Sequence, residues 1–327
     1  LASAAVLALV VAALTPLRAA AIEAPRVEPC DVTVTEIGIR SSAGHTLAGA
    51  LALPRGHVPL RAIVVYLSGA GPQTREYATV SPADSSLYVV LQQRLLCRGV
   101  GSFVFDEVGT GRSGGDYRAY ATTRNLARDA GDVVVRLRSM PDLQGAKVML
   151  VGHSEGGLIA AMIAASTPVD GVVTLGAPAY DGESIIAYQR ITHRGIYGIP
   201  FAAFDARHQE RRQSDRWYQE FLGFDPAPEY ARVRVPTLIL HGELDIDVSA
   251  PQADSLLAAM HRGNPKVRCI RLGHTDHTFT DMEHIAWRPD TATVRHIVTF
   301  VDAIADGDTS AGARTGRVGG CVVAASP

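Results

Sequence analysis

The chain has 327 residues, 47% hydrophobic and 20% charged, so it carries ample apolar material for a large buried core. A formal net charge of −2, with no basic or acidic block, excludes the electrostatic footprint of a nucleic-acid binder. Aromatic content is 6% and the arginines are scattered, which excludes a stacking platform for bases.

Leu1 to Leu14 is an uncharged apolar run, followed by Thr15-Pro16-Leu17-Arg18 and the small residues Ala19-Ala20-Ala21. This order of apolar run and A-x-A site predicts a secretory signal peptide over residues 1–21. The expected location is therefore secreted or periplasmic. No stable membrane association is expected after cleavage, since the run is shorter than the ~20 residues of a spanning helix. Four cysteines fit an exported chain. Cys97 lies in a helix pattern and Cys269 in a strand pattern, so both read as small core residues. Cys30 and Cys321 stand near the two ends of the mature chain and would pair if those ends met.

Val32 to Ile39 alternates and is rich in β-branched residues, and Thr46 to Leu53 forms a second strand across the turn Ser41-Ser42-Ala43-Gly44. Ala62 to Leu67 is a continuous apolar run suited to a strand buried on both faces. A strand–helix rhythm follows: Leu87 to Arg98 helical, Val100 to Phe105 extended, Thr122 to Arg138 helical, Lys147 to Val151 extended, Gly157 to Ala165 helical and Val169 to Leu175 extended. It resumes with Thr237 to His241, Ala250 to His261, Val267 to Leu272 and Thr293 to Ala305. Such alternation predicts an α/β fold, a mostly parallel central sheet with helices on both faces. Residues 180–234 break the rhythm and carry many Arg, Gln, His and aromatic side chains; they read as a helical cap insertion over the strand ends. The core is then expected at 31–179 and 235–305. Residues 306–327, rich in Gly, Ala, Ser and Thr, read as a disordered tail.

The motif Gly152-His153-Ser154-Glu155-Gly156 is weak alone, but a buried-strand run enters it and a small-residue helix leaves it. That context suits a nucleophile elbow: a serine on a sharp turn, in strained backbone, needs neighbours of little volume. Ser154 is the expected nucleophile, and the Glu155 N–H, at a helix start, an expected oxyanion donor. A serine hydroxyl needs a base, itself oriented by a carboxylate. Two later strand ends offer them in the order acid, then histidine: His241-Gly242-Glu243-Leu244-Asp245-Ile246-Asp247 and Gly273-His274-Thr275-Asp276-His277-Thr278-Phe279. Asp245 has the better loop position, with Asp247 close and Glu243 weaker. His277 follows a loop long enough to return over the sheet, with Phe279 placed to pin it, whereas His274 reads as a solvated loop residue. In Ser68-Gly69-Ala70-Gly71-Pro72-Gln73-Thr74-Arg75 the glycines allow close backbone approach, and the Ala70 N–H is the second expected donor, Gly71 the alternative. His274, Asp276, His277 and His284 cluster within eleven positions, but no H-E-x-x-H or Cys-pair spacing accompanies them, so no metal is expected.

Over roughly residues 32 to 305 these features resemble the α/β-hydrolase superfamily. More narrowly, the chain looks like bacterial serine esterases and peptidase-like hydrolases with an S-G-x-G-P-Q-x-R loop after the third strand. Ser68 to Arg75 match that loop, Asp106 to Ser113 a D-x-x-G-x-G-x-S loop, and Gly152 to Gly156 the elbow. His241 to Asp245 and Asp276 to Phe279 match the acid and histidine loops. Val108 departs from the pattern, where relatives often carry Arg. The resemblance implies a Ser154–His277–Asp245 triad acting on a small-molecule acyl substrate through an acyl-enzyme, with no cofactor. A carboxylesterase is the first expectation; a peptidase, amidase or thioesterase with the same triad is the second, and an idle binding scaffold the third.

Overall fold

The computed structural model describes residues 30–55, 59–75, 86–283, 288–312 and 320–324. The expected signal peptide and His284 lie outside them. Nine strands form one sheet: β1 (Val32–Arg40), β2 (Thr46–Pro54), β3 (Ala62–Leu67), β4 (Val100–Phe105), β5 (Lys147–His153), β6 (Gly171–Leu175), β7 (Thr237–Gly242), β8 (Val267–Leu272) and β9 (Val322–Ala324). Their spatial order is β1-β2-β4-β3-β5-β6-β7-β8-β9. β1 and β2 pair antiparallel, as do β2 and β4, while every pair from β4 to β9 is parallel. All residues of β3, β6 and β7 are buried, the burial that a strand covered on both faces requires.

The parallel register sets the carboxyl ends of the central strands side by side. Leu67 pairs with Gly152, His153 with Leu175, Leu175 with Leu240, and Gly242 with Leu272. Loops leaving those strands therefore converge on one sheet edge, the usual place for a site in an open α/β sheet. Helices α1 (Leu87–Leu96) and α10 (Thr291–Ala305) cover one face, through a cluster with Val64, Leu91, Met149, Val173, Ile297 and Val301. The other face takes α3 (Thr123–Arg138), α4 (Glu155–Ala164) and α9 (Gln252–His261), with the four-residue α2 (Tyr117–Tyr120) leading into α3. Thr122 caps α3 by accepting from the Asn125 N–H at 3.1 Å. Residues 180–234 fold as α5 (Gly182–Tyr197), α6 (Phe201–Ser214), α7 (Arg216–Gly223) and α8 (Ala227–Tyr230). Asp181 and Asp215 cap α5 and α7.

Two expectations need correction. The tail is not disordered throughout: Val322–Ala324 extends the sheet as β9, with Ile270 opposite Val322 and Leu272 opposite Ala324. The Cys321 N–H donates to Asp254 Oδ1 at 2.8 Å, and the backbone at Gly312 lies so close to Lys266 that a Cβ there would sit 2.1 Å from its carbonyl oxygen. Main-chain bonding and a disulfide hold this segment, and composition registers neither. The cysteines also pair otherwise. Cys30 bonds Cys97 (Cα–Cα 5.3 Å), tying the start of β1 to the end of α1, and Cys269 bonds Cys321 (Cα–Cα 4.7 Å), fastening β9 to β8. Cys97 and Cys269 are thus crosslinks rather than free core thiols, and Cys30 and Cys321 do not meet. No helix among the described residues is long and apolar enough to cross a membrane.

Candidate active site

β5 ends at His153 and α4 begins at Glu155, leaving Ser154 alone between them at φ 54°, ψ −122°. A side chain at positive φ is strained, and such strain persists only where the surroundings enforce it. The enforcement is visible at the flanking glycines. A Cβ on Gly152 would lie 2.1 Å from the Gly156 carbonyl oxygen, and one on Gly156 would lie 2.3 Å from that of Leu67. Strand, turn and helix can approach this closely only without those side chains. The Ser154 N–H is fixed to Leu175 O at 2.8 Å.

Asp245 and His277 come together on the loops after β7 and β8. His277 Nδ1 lies 2.7 Å from Asp245 Oδ2, with Asp245 only 2% exposed. Oδ1 of Asp245 accepts from the backbone N–H groups of Val248 (2.7 Å) and Asp247 (2.9 Å). On Oδ2 a second imidazole approaches: His241 Nε2 is 3.2 Å away while also 2.8 Å from Val248 O. Burial works to raise the Asp245 pKa, but the His277 charge and the hydrogen bonds from His241 and His277 outweigh it and hold the carboxyl well below the usual range. Burial disfavours the His277 cation, yet Asp245, by charge and hydrogen bond, raises its pKa above the ordinary histidine value. Because Nδ1–H donates to a carboxylate, Nε2 is the basic nitrogen left for chemistry.

The rival residues have other partners. Asp247 Oδ1 meets His193 Nε2 at 2.9 Å, and Glu243 pairs with Arg271 at 2.5 Å. His274 is exposed, 3.8 Å from Glu283. Phe279 is wholly buried at φ 61°, while Asp276 Oδ1 accepts from the N–H groups of Thr278 (3.0 Å) and Thr280 (2.9 Å), so the histidine loop is fixed from both sides. Asp245, Asp247 and His277 offer ligand atoms within 4.8 Å of one another. The Asp245 carboxylate, however, already accepts from the Val248 and Asp247 N–H groups and from His277 Nδ1, with the His241 imidazole against Oδ2.

Ser154 and His277 line one cleft, together with Gly69, Ala70, Glu155 and the cap residues Gln189, Arg211, Trp217 and Tyr218. Ala70 lies in the loop after β3, and Gly69 sits so near that a Cβ on it would be 3.3 Å from that of Ser154. Glu155 opens α4, so its N–H has no acceptor within the helix. Its side chain points away into the protein, where Oε1 accepts from Thr123 Oγ1 (2.5 Å) and Trp217 Nε1 (2.6 Å). Burial lifts its pKa to about 7 against those two bonds. Burial also raises Glu107 well above the carboxylate range, with the nearby Glu155 charge adding to it.

Two supporting histidines carried no assigned role in the sequence. His153 Nε2–H donates to His277 O at 2.7 Å, anchoring the backbone of the histidine loop, and burial lowers its pKa to about 3, so it stays neutral. His241 supplies the second imidazole on Asp245. Each sits at a strand end beside a motif residue, but their partners, a carbonyl and an already paired carboxylate, leave no trace in residue spacing.

Residues 60–201 match the family model of the serine aminopeptidases of family S33. Curated proteins show no sequence match to the chain. Among solved structures, an esterase of Pyrococcus furiosus is similar at 14% identity and a TM-score of 0.64, covering 85% of this chain and 92% of that one. A 2,6-dihydroxy-pseudo-oxynicotine hydrolase is similar at 14% identity and a TM-score of 0.60, covering 84% and 69%. A dienelactone hydrolase of Anabaena variabilis is similar at 17% identity and a TM-score of 0.53, covering 84% and 98%. With its sheet order, its elbow and these likenesses, the chain has the α/β-hydrolase fold, and over residues 60–201 it is similar to the serine aminopeptidases of family S33.

Proposed function

We propose that the protein is a serine hydrolase that cleaves carboxylic esters through an acyl-enzyme, with Ser154 as nucleophile, His277 as general base and Asp245 as its orienting carboxylate. The observation that carries this reading is the 2.7 Å contact of His277 Nδ1 with Asp245, on a histidine that shares its cleft with a serine in strained elbow backbone. In the first step His277 Nε2 takes the Ser154 proton as Oγ attacks the substrate carbonyl carbon. The negative oxygen is received by the N–H groups of Ala70 and Glu155, the latter at the positive end of α4. Collapse expels the alcohol, which takes the proton from His277. Water, deprotonated by the same nitrogen, then releases the acid and regenerates Ser154.

The two disulfides support export, since such bonds persist in oxidising compartments. A second reading, a peptidase or amidase, draws its support from the description of the matching family. A panel of p-nitrophenyl esters of rising acyl length, run beside aminoacyl p-nitroanilides, separates the two. Ester turnover that falls on the order of a millionfold in Ser154→Ala is expected. Turnover of the anilides alone would replace the esterase reading with the second one.

A further inference from the structure

Among the described residues lining the cleft, Arg211 is the one with a permanent positive charge. It stands on α6, on the cap side, and its guanidinium is held in place. Nε and Nη2 donate to Asp215 Oδ2 at 3.0 and 2.7 Å, while the guanidinium carbon lies 4.4 Å from the centre of the Tyr218 ring and 5.3 Å from that of Trp217. Asp215 is itself committed to the chain, since its Oδ1 caps α7 by accepting from the Tyr218 N–H at 3.1 Å. These bonds use the Nε side of the guanidinium. Among the described residues nothing accepts from Nη1, so the Nη1–Nη2 edge keeps the paired N–H groups that match a carboxylate bidentately.

His208, on the same helix as Arg211, lines the cleft with its Nδ1 2.5 Å from Tyr218 Oη, while Gln189 stands toward the acid loop, its Nε2 donating to Asp247 O at 3.2 Å. Burial, with Arg211 and Arg207 adding to it, lowers His208 to about 4, so this imidazole is neutral and, among the described lining residues, Arg211 alone supplies the positive charge here. Of the two acidic side chains lining the cleft, Glu155 is turned inward onto Thr123 and Trp217, while Asp247 lies on the acid loop after β7 and accepts from His193. The cleft is thus polarised, cationic on the cap wall and anionic toward the acid loop.

We propose that Arg211 forms an anion subsite within the cleft, so that the preferred substrates are esters bearing a free carboxylate beyond the scissile bond, such as half-esters of dicarboxylic acids. The proposal rests on the esterase reading above, and its test separates the two. Hydrolysis of monomethyl adipate and of methyl hexanoate, its neutral counterpart of equal chain length, is followed by pH-stat titration. The ratio of their kcat/KM values should favour the half-ester, and Arg211→Gln should reduce that ratio on the order of tenfold, as loss of a charge-assisted hydrogen bond implies. Arg211→Lys should restore part of it, and added salt should diminish it. Binding is read independently of turnover by calorimetry with monomethyl adipate on Ser154→Ala and on Ser154→Ala/Arg211→Gln. A Kd about tenfold weaker in the double variant supports the subsite even if neither ester is hydrolysed. An unchanged kcat/KM ratio in Arg211→Gln, or equal Kd values in the two variants, overturns it, and ester turnover persisting alongside that result leaves the esterase reading intact.

Discussion

Asp245 keeps a negative charge almost out of contact with solvent, and the donors around it make that tolerable. The same charge raises the affinity of His277 for its proton, with a direct consequence for activity. In the proposed mechanism the neutral imidazole is the base, so turnover is expected above the His277 pKa and lost as pH falls through it. The acid limb of kcat/KM is therefore expected to have its midpoint above the ordinary histidine value of about 6.5. In Asp245→Asn the carboxylate is gone, so that midpoint should move down, with kcat lower on the order of ten thousandfold. A pH–rate profile of both forms checks this; an acid limb that stays in place in the variant would detach Asp245 from His277. At this scale the sequence was readable for placement: Asp245 and His277 meet on the two loops expected to bring them together, and Ser154 stands on the turn between strand and helix. It was mute where a backbone carbonyl is the partner, as for His153 on His277 O.

Among the described residues, the cap is fastened to the Asp245 loop and to the elbow by buried or half-buried polar contacts. From α5, Tyr188 Oη donates to Asp245 O at 2.8 Å, Thr192 Oγ1 to Ile246 O at 2.7 Å and Gln189 Nε2 to Asp247 O at 3.2 Å. From α7, Trp217 reaches under the elbow to Glu155. This second link has a stability signature. The folded-state pKa of Glu155, about 7, stands above its unfolded value, so the native state holds a proton that the unfolded chain has released. Its contribution to stability is complete at low pH and falls as pH rises through the window from about 4.5 to 7. Glu155→Gln mimics the protonated acid and should flatten that decline, which melting temperatures between pH 4 and 8 would register. A variant as pH-dependent as the native protein would mean that Glu155 is not the group titrating. The helical character of residues 180–234 followed from the absence of strand runs. Which of its aromatics reach the core domain did not, because Trp217 and Phe221 stack on each other (ring centres 5.0 Å apart) while both line the cleft.

For the molecule as a whole, the alternating strand and helix patterns carried most of the architecture, since buried parallel strands must be apolar throughout and their helices amphipathic. What escaped were the edges. β9 is three residues long and is fastened beside β8 by Cys269–Cys321, a partnership that spacing cannot reveal. The other crosslink, Cys30–Cys97, closes a separation of 67 residues and constrains the unfolded chain by about 4 kcal/mol in the loop-entropy account. Denaturant unfolding of Cys30→Ser/Cys97→Ser should show a loss of that order, and a midpoint equal to the native one would argue against the bond. All of this framework converges on the sheet edge that presents Ser154, and it supports the proposal that this serine is an activated nucleophile. Treatment with a fluorophosphonate probe followed by peptide mass spectrometry tests it most directly. A single adduct is expected, on Ser154, absent from Ser154→Ala and strongly slowed in His277→Ala but not in His274→Ala. Equal labelling of the native protein and Ser154→Ala would contradict it.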